Sequence, residues 1–292
     1  MKISFIINPV AGKNRKRDIS PIIKNYMKNK KYDYKILKTE YKKHAEELTK
    51  EYIDLGYNIV VAVGGDGTVR EVATGIIYKK KGILGIIPMG TGNDLARSLQ
   101  IPLRIEEAIQ KIINKNLKEI DIGKAGKSIF LNVASIGFDA EIVRNTKKYK
   151  KYLKGKLAYT FGLLKTLFKY KPKKIKIKHN GIEREEKVLL IASANGKFYG
   201  GGMKICPKAD IMDEELDVCL IKNISMVKLF FLFPSVYNGK HGKFKKYVEF
   251  FRVSNLEIYS ENDICLNIDG DIINSKGRIY FGLTSNKLKI IT

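Results

Sequence analysis

Two short stretches of this 292-residue chain set carboxylates, hydroxyls and glycines side by side. Residues 58–76 read NIVVAVGGDGTVREVATGI: an apolar run, then GGDGT, then a segment of helical periodicity. Gly64, Gly65 and Gly67 can bring backbone N–H groups close to a phosphate with no Cβ in the way. Thr68 is the expected N-cap, and a helix beginning there offers its positive dipole end to an anion. Asp66 by itself would repel that anion. It fits if it faces Mg2+, directly or through water, and the metal in turn bridges the phosphates. PMGTGND (88–94) repeats the design with Gly90, Thr91, Gly92, Asn93 and Asp94 ahead of LARSL. Either loop alone is equally an ordinary βα turn with Asp as its cap; the pair at this spacing favours a metal–polyphosphate site. A third acidic stretch, ADIMDEELD, alternates oxygen donors at Asp210, Asp213 and the Glu215 carbonyl. That pattern suits a hard cation or a plain solvated turn.

Strands and helices must position these loops. KISFIIN (2–8), YDYKILKT (32–39), YNIVVAV (57–63) and GILGIIP (82–88) are strand-like. Polar periodic segments at about 15–30, 43–56, 68–79 and 92–99 separate them. Apolar strands alternating with helices predict a parallel sheet covered on both faces, with ligands at the carboxyl ends of its strands. Both glycine loops follow strands, so both belong on that edge. After about residue 120 the texture becomes SIFLNVASIGF, KKIKIKHNG, EKVLLIASANG, LDVCLIKN, FRVSNLEIYS and DICLNIDG, strand-like runs divided by Gly, Asn and Asp turns. These predict a mainly antiparallel β-sandwich. The expected division is 1–122, with 278–292 returning, and 123–277.

Composition sets the class of partner. Lys and Arg number 55 against 30 Asp and Glu, a formal net charge of +25. Such an excess draws a protein to nucleic acid, anionic bilayers or phosphorylated small molecules, although AT-rich codon usage also inflates lysine. Cys206, Cys219 and Cys265 form no CxxC pattern and read as buried thiols of a reducing compartment. The opening apolar run reads as a first strand, not a signal peptide, and no apolar stretch reaches ~18 residues, so a cytoplasmic protein is expected. From Arg144 to Lys178 every ionisable side chain other than tyrosine is basic. Within it, residues 152–171 mix Lys with Tyr, Phe and Leu as an interfacial helix does. Residues 226–243, MVKLFFLFPSVYNGKHGK, are apolar enough to line an acyl-chain cleft. His44 lies near the nucleotide or on a helix surface; His179 and His241 are expected in solvent.

GGDGT, GTGND and the opening NPVAG together resemble the diacylglycerol kinase catalytic-domain family, which includes sphingosine and ceramide kinases. ILKTEYKKHA, EIDIGKAGKSIFLNVASIGFDAEIV, ANGKFYGGGMKICPKADIMDEELDVCLI and LNIDGD resemble further family blocks in order along nearly the whole chain. The resemblance implies an NAD kinase- and phosphofructokinase-like nucleotide domain, a lipid substrate and often a homodimer. It implies that Asn8, Pro9, Gly12, Thr39, the 64–70 loop and Thr91 hold ATP, while Asp66, Asp94 and Asp121 organise Mg2+. Asp121, in EIDIG, is by its residues alone equally a strand end. The resemblance also implies a structural Mg2+ at Asp210, Asp213 and Glu215, although the family's Asp-Gly is Asp213-Glu214 here. Where the family has a glutamate as general base, this chain has Asp271. Its carboxylate is drawn back by about one C–C bond, and misplacement of ~1 Å can cost about 10²-fold in rate.

The expected activity is therefore ATP- and Mg-dependent phosphorylation of a lipid hydroxyl, as in phospholipid metabolism, with peripheral contact to anionic membrane. An NAD kinase shares the GGDG turn, and a catalytically weak lipid-binding regulator would accommodate the shortened Asp271. A nucleic-acid binder explains the charge but not two Asp-bearing glycine turns, and no RNP, KH or zinc signature is present.

Overall fold

The computed structural model describes residues 2–12, 18–28, 30, 32–149, 166 and 170–292. The expected interfacial helix at 152–171 falls almost wholly outside them. The chain forms two compact units, Met1–Asp121 with Asn286–Thr292, and Ile122–Ser285.

In the first unit the order is β1 (Lys2–Ile7), α1 (Ser20–Met27), β2 (Asp33–Lys38), α2 (His44–Asp54), β3 (Ile59–Gly64), α3 (Asp66–Lys79), β4 (Ile83–Pro88), α4 (Asp94–Ser98), α5 (Ile105–Asn114) and β5 (Leu117–Ile120). Strands β2, β1, β3 and β4 lie side by side and parallel, with Ile3 beside Ile59 and Gly64 beside Pro88. All six residues of β3 are buried, as expected of a central strand with helices on both faces. On one face Phe5, Val61 and Ile87 pack against Ile23 of α1 and Ile109 of α5. The alternation of apolar strands and helices thus produced the predicted parallel sheet.

The second unit contains β6 (Gly123–Ala125), β7 (Ser128–Phe130), β8 (Val133–Gly137), α6 (Phe138–Tyr149), β9 (Lys173–His179), β10 (Ile182–Ala194), β11 (Phe198–Tyr199), β12 (Met203–Lys204), β13 (Leu216–Lys222), α7 (Met226–Tyr237), β14 (Val248–Val253), β15 (Asn255–Ile268) and β16 (Asp271–Leu283). Its main sheet is antiparallel, in the order β14-β13-β10-β8-β15-β16-β6-β7. Strand β9 pairs with both β10 and β15, so the sheet wraps round a core that includes Phe130, Ile177, Val218 and Phe281. Its other face packs against α6 and α7 through Ile142, Leu190, Leu229 and Leu232. The last strand, β17 (Leu288–Ile291), returns to the first sheet between β4 and β5. The return begins at Asn286 because β16 continues to Leu283 in the second unit.

Two histidines depart from expectation. His179 ends β9, and the turn that follows is Asn180-Gly181, both at positive φ. Its ring stacks on Phe251 at 4.2 Å and is buried, with neither nitrogen hydrogen-bonded. His241 is fully buried, its Nε2 2.9 Å from the Ile205 carbonyl oxygen. Burial lowers both pKa values; Arg184 adds to the effect at His179, and Glu249 opposes it. The unfolded chain therefore binds protons more readily than the fold does near pH 6.5. Stability from the two neutral rings is fully present above that pH and is lost as pH falls through the lowered folded values. We expect the melting temperature to drop between pH 7 and pH 5, and His179→Phe to flatten that slope.

Candidate active site

The first site element is the turn after β1. Asn8 accepts Val10 N through Oδ1 at 3.0 Å, and its carbonyl accepts Ala11 N at 3.2 Å. Pro9 sits at the second position of that turn, where its fixed φ fits. The Asn8 amide then donates from Nδ2 to Thr68 Oγ1 at 3.0 Å, tying this turn to the GGDGT loop. Gly12 has φ +77 and lies on the Met89 carbonyl; a Cβ would stand 2.1 Å from that oxygen. The turn is thus also pressed against the second glycine loop. Thr39, just past β2, donates its N–H to the Ile7 carbonyl at 2.9 Å and stands on the same sheet edge.

GGDGT and GTGND are held to each other directly. Gly65 and Gly90 approach so closely that a Cβ on Gly90 would fall 2.5 Å from Gly65 Cα. Asp66 accepts Asn93 N at 2.8 Å through Oδ2 and Asp94 N at 2.6 Å through Oδ1. Its carboxylate therefore caps α4, where Asn93 takes a left-handed φ of +54. Each oxygen keeps a second lone pair for a hydrated cation. Thr68 is not the N-cap: Gly65, in extended geometry, holds that position, and Thr68 is the third helical residue. Its hydroxyl is used by Asn8 instead. The first amides of α3 have no partner within the helix. A Cβ on Gly67 would meet nothing within 4 Å, so a ligand has open space there. Thr91 is exposed, and Asp94 is buried. Asp121 is 3% exposed and its Oδ1 lies 3.2 Å from Lys287 Nζ, so a cation of the chain's own neutralises it.

The second unit carries its own polar cluster. Asp269 and Gly270, at φ +45 and +89, form the two-residue turn from β15 to β16, and Asp271 pairs with Ile268 across it. Asp269 accepts three backbone N–H groups, from Leu131 at 2.6 Å and from Asn132 and Val133 at 3.0 Å each. Asn267 accepts Gly270 N at 2.9 Å and donates to Asp139 Oδ2 at 3.2 Å. Ser135 donates to the same Asp139 oxygen, while Asp139 Oδ1 has no hydrogen-bond partner. Burial pushes the Asp139 carboxyl up from the usual range, against the Ser135 and Asn267 hydrogen bonds. Asp139 and Asn267 stand in the wall of a cavity with about 640 Å³ of empty space, its open mouth included. The rest of the wall is chiefly Ile, Leu, Met, Val and Phe, with Leu229, Leu232, Phe233 and Val236 from α7.

Both units resemble known proteins. Residues 2–125 match the diacylglycerol kinase catalytic domain, and residues 132–285 match the YegS C-terminal NAD kinase beta sandwich-like domain. The chain belongs to the YegS-like lipid kinase family, which the diacylglycerol kinase match over its first unit accompanies. It is a phosphotransferase of the lipid-kinase type. Two proteins described as probable YegS-like lipid kinases are each 34% identical to it. The one from Pseudomonas putida matches over 61% of this chain and 60% of its own length, and the one from Yersinia enterocolitica over 80% and 78%. A putative diacylglycerol kinase from Bacillus anthracis superposes with a TM-score of 0.75 at 26% identity, covering 99% of this chain and 97% of that one. An Archaeoglobus fulgidus NAD kinase solved with ATP shares the fold, with a TM-score of 0.54 at 12% identity over 100% and 94%.

The acidic loop at 210–217 carries an ion-pair network of its own. Among the described residues no group of three acidic, His or Cys side chains is placed to hold a metal. Arg252 instead lies 3.4 Å from Asp213, 3.3 Å from Glu215 and 3.6 Å from Asp217. Asp210 and Asp213 each accept a backbone N–H two residues on, from Met212 and Glu215. The single charge of the guanidinium offsets part of the acidic charge there. Glu214 has φ +62, the left-handed conformation that the family's glycine adopts without strain. Sequence reasoning did not single out Asp139, Asn267 or Arg252 for any role; the GFDA and DGD strings were the available signals for the first two.

Glu214→Gly should raise stability by up to about 1 kcal/mol in urea denaturation, less the entropy glycine adds to the unfolded chain. Asp269→Ala should cost about 3 kcal/mol or more in the same measurement, because buried amides lose a charged acceptor.

Proposed function

We propose that the chain phosphorylates the hydroxyl of diacylglycerol or a closely related lipid, using ATP and Mg2+. The observation that supports a lipid acceptor is in the second unit. Hydrogen bonds lead from Asp139, in the wall of an apolar cavity, through Asn267 to the turn that presents Asp271. An acyl chain suits such a wall, and in this reading the Asp271 carboxylate serves its hydroxyl end.

In this reading the first unit holds the nucleotide and the second the lipid. The α3 amides and the turns at Asn8–Gly12, Thr39 and Thr91 receive ATP. Asp66 and Asp94 would hold hydrated Mg2+, which neutralises charge on the phosphates. Asp121, paired with Lys287, would shape their surroundings. Asp271 takes the proton of the lipid hydroxyl as its oxygen bonds to the γ-phosphorus. The bond to the bridging oxygen breaks, and ADP leaves with its electron pair. The reading requires Asp66, Asp94 and Asp271 to serve one reaction. It also places the protein in the cytoplasm at an anionic membrane, in phospholipid metabolism; no helix among the described residues is long and apolar enough to cross a bilayer.

Incubation with labelled ATP, Mg2+ and, in parallel, diacylglycerol, phosphatidylglycerol, a sphingoid base and NAD tests the acceptor. We expect label in a lipid, and label in NAD alone would reverse the reading. Asp271→Asn should lower turnover at least ~10²-fold with the fold intact, whereas Asp271→Glu should keep or raise it. Unchanged turnover in Asp271→Asn would remove this carboxylate from the mechanism.

A further inference from the structure

Helix α7 carries two apolar stripes. Leu229, Leu232, Phe233 and Val236 recur at i, i+3, i+4 and i+7 and line the cavity. Val227, Phe230 and Phe231 lie on the other side, 69%, 71% and 68% exposed. The two phenyl rings meet edge to face with centroids 6.0 Å apart. A helix apolar all round is normally buried, and three large neighbouring side chains make a patch, not scattered exposure.

The surroundings of the patch are basic. Lys228 is on the same helix, and its Nζ donates to the Tyr247 hydroxyl at 2.7 Å. That bond brings the following segment back beside α7, with Lys240, Lys243, Lys245 and Lys246 all exposed. From Met226 to Tyr247 there is no Asp or Glu. An apolar ridge among cations complements a bilayer, with hydrocarbon beneath anionic phosphates. A second copy of the chain would bring the same lysines and be repelled.

We propose that α7 docks the protein on anionic bilayers, with Val227, Phe230 and Phe231 among the acyl chains and the lysines at phosphate depth. The cavity behind the same helix draws its lipid from that bilayer. The docking stands on the patch alone, and only the lipid uptake rests on the lipid-kinase reading.

The chain contains no tryptophan, so Phe230→Trp makes a single indole reporter in it. Vesicles of phosphatidylcholine and phosphatidylglycerol in equal parts should shift its emission to the blue, and acyl-brominated lipid should quench it. Pure phosphatidylcholine should do neither. Phe230→Ser with Phe231→Ser should weaken vesicle binding by about 10²-fold. Each of Lys243→Gln, Lys245→Gln and Lys246→Gln should weaken it about fivefold at low salt. Activity toward dispersed dioctanoylglycerol should survive the serine pair, while activity toward vesicle-borne diacylglycerol falls. An indole left in water with anionic vesicles overturns the proposal. So does a wild-type dimer that the serine pair splits into monomers, because the patch is then an interface between copies. Vesicle docking without phosphorylation of any lipid would uphold the surface and defeat the lipid-kinase reading instead.

Discussion

The carboxylate of Asp66 holds the glycine-loop edge of the first unit together. Its two oxygens accept the backbone N–H groups of Asn93 and Asp94, residues of the next strand's loop. Glycine is needed at 65 and 90 because the two loops then touch backbone to backbone. Asn8 closes a third side by donating to Thr68, and Gly12 a fourth contact by lying on Met89. Charge-assisted hydrogen bonds such as those of Asp66 are the stronger class, and with the neutral Asn8–Thr68 bond they join three strand ends into one rim. A phosphate site requires such a rim, since amides stabilise an anion well only when they do not have to reorganise around it.

The second unit uses the same device. Asp269 gathers the amides of Leu131, Asn132 and Val133, anchoring the β15–β16 turn to the start of β8. Asn267 bonds the turn's Gly270 on one side and Asp139 on the other. A buried polar network of this kind specifies a single arrangement, because each missing partner leaves a desolvated group behind. Asp139 Oδ1 is the exception, unpartnered at the edge of an apolar cavity.

Much of this was legible in the residues. The alternation of apolar strands with helices predicted the parallel sheet, and strand-like runs split by Gly and Asn predicted the antiparallel unit. The order of the glycine and DGD strings pointed to the family. The site was legible in its residue types but not in their partners. Thr68 looked like a cap and instead receives Asn8, sixty positions away. Nothing in ADIMDEELD itself announced that Arg252 of β14 pairs with Asp213 and Glu215. His179 and His241 looked exposed beside turns, and both are buried.

The chain's local sequence determined which segments extend, which coil and where the backbone turns, because those choices depend on near neighbours and on glycine's missing side chain. It also determined that carboxylates follow the glycine turns. Tertiary structure alone decided what each carboxylate holds. Asp66 meets amides 27 and 28 residues on, and Asp269 meets amides 136 to 138 residues back. A hydrogen bond depends on distance in space, and spacing along the chain says little about that until the strands have paired.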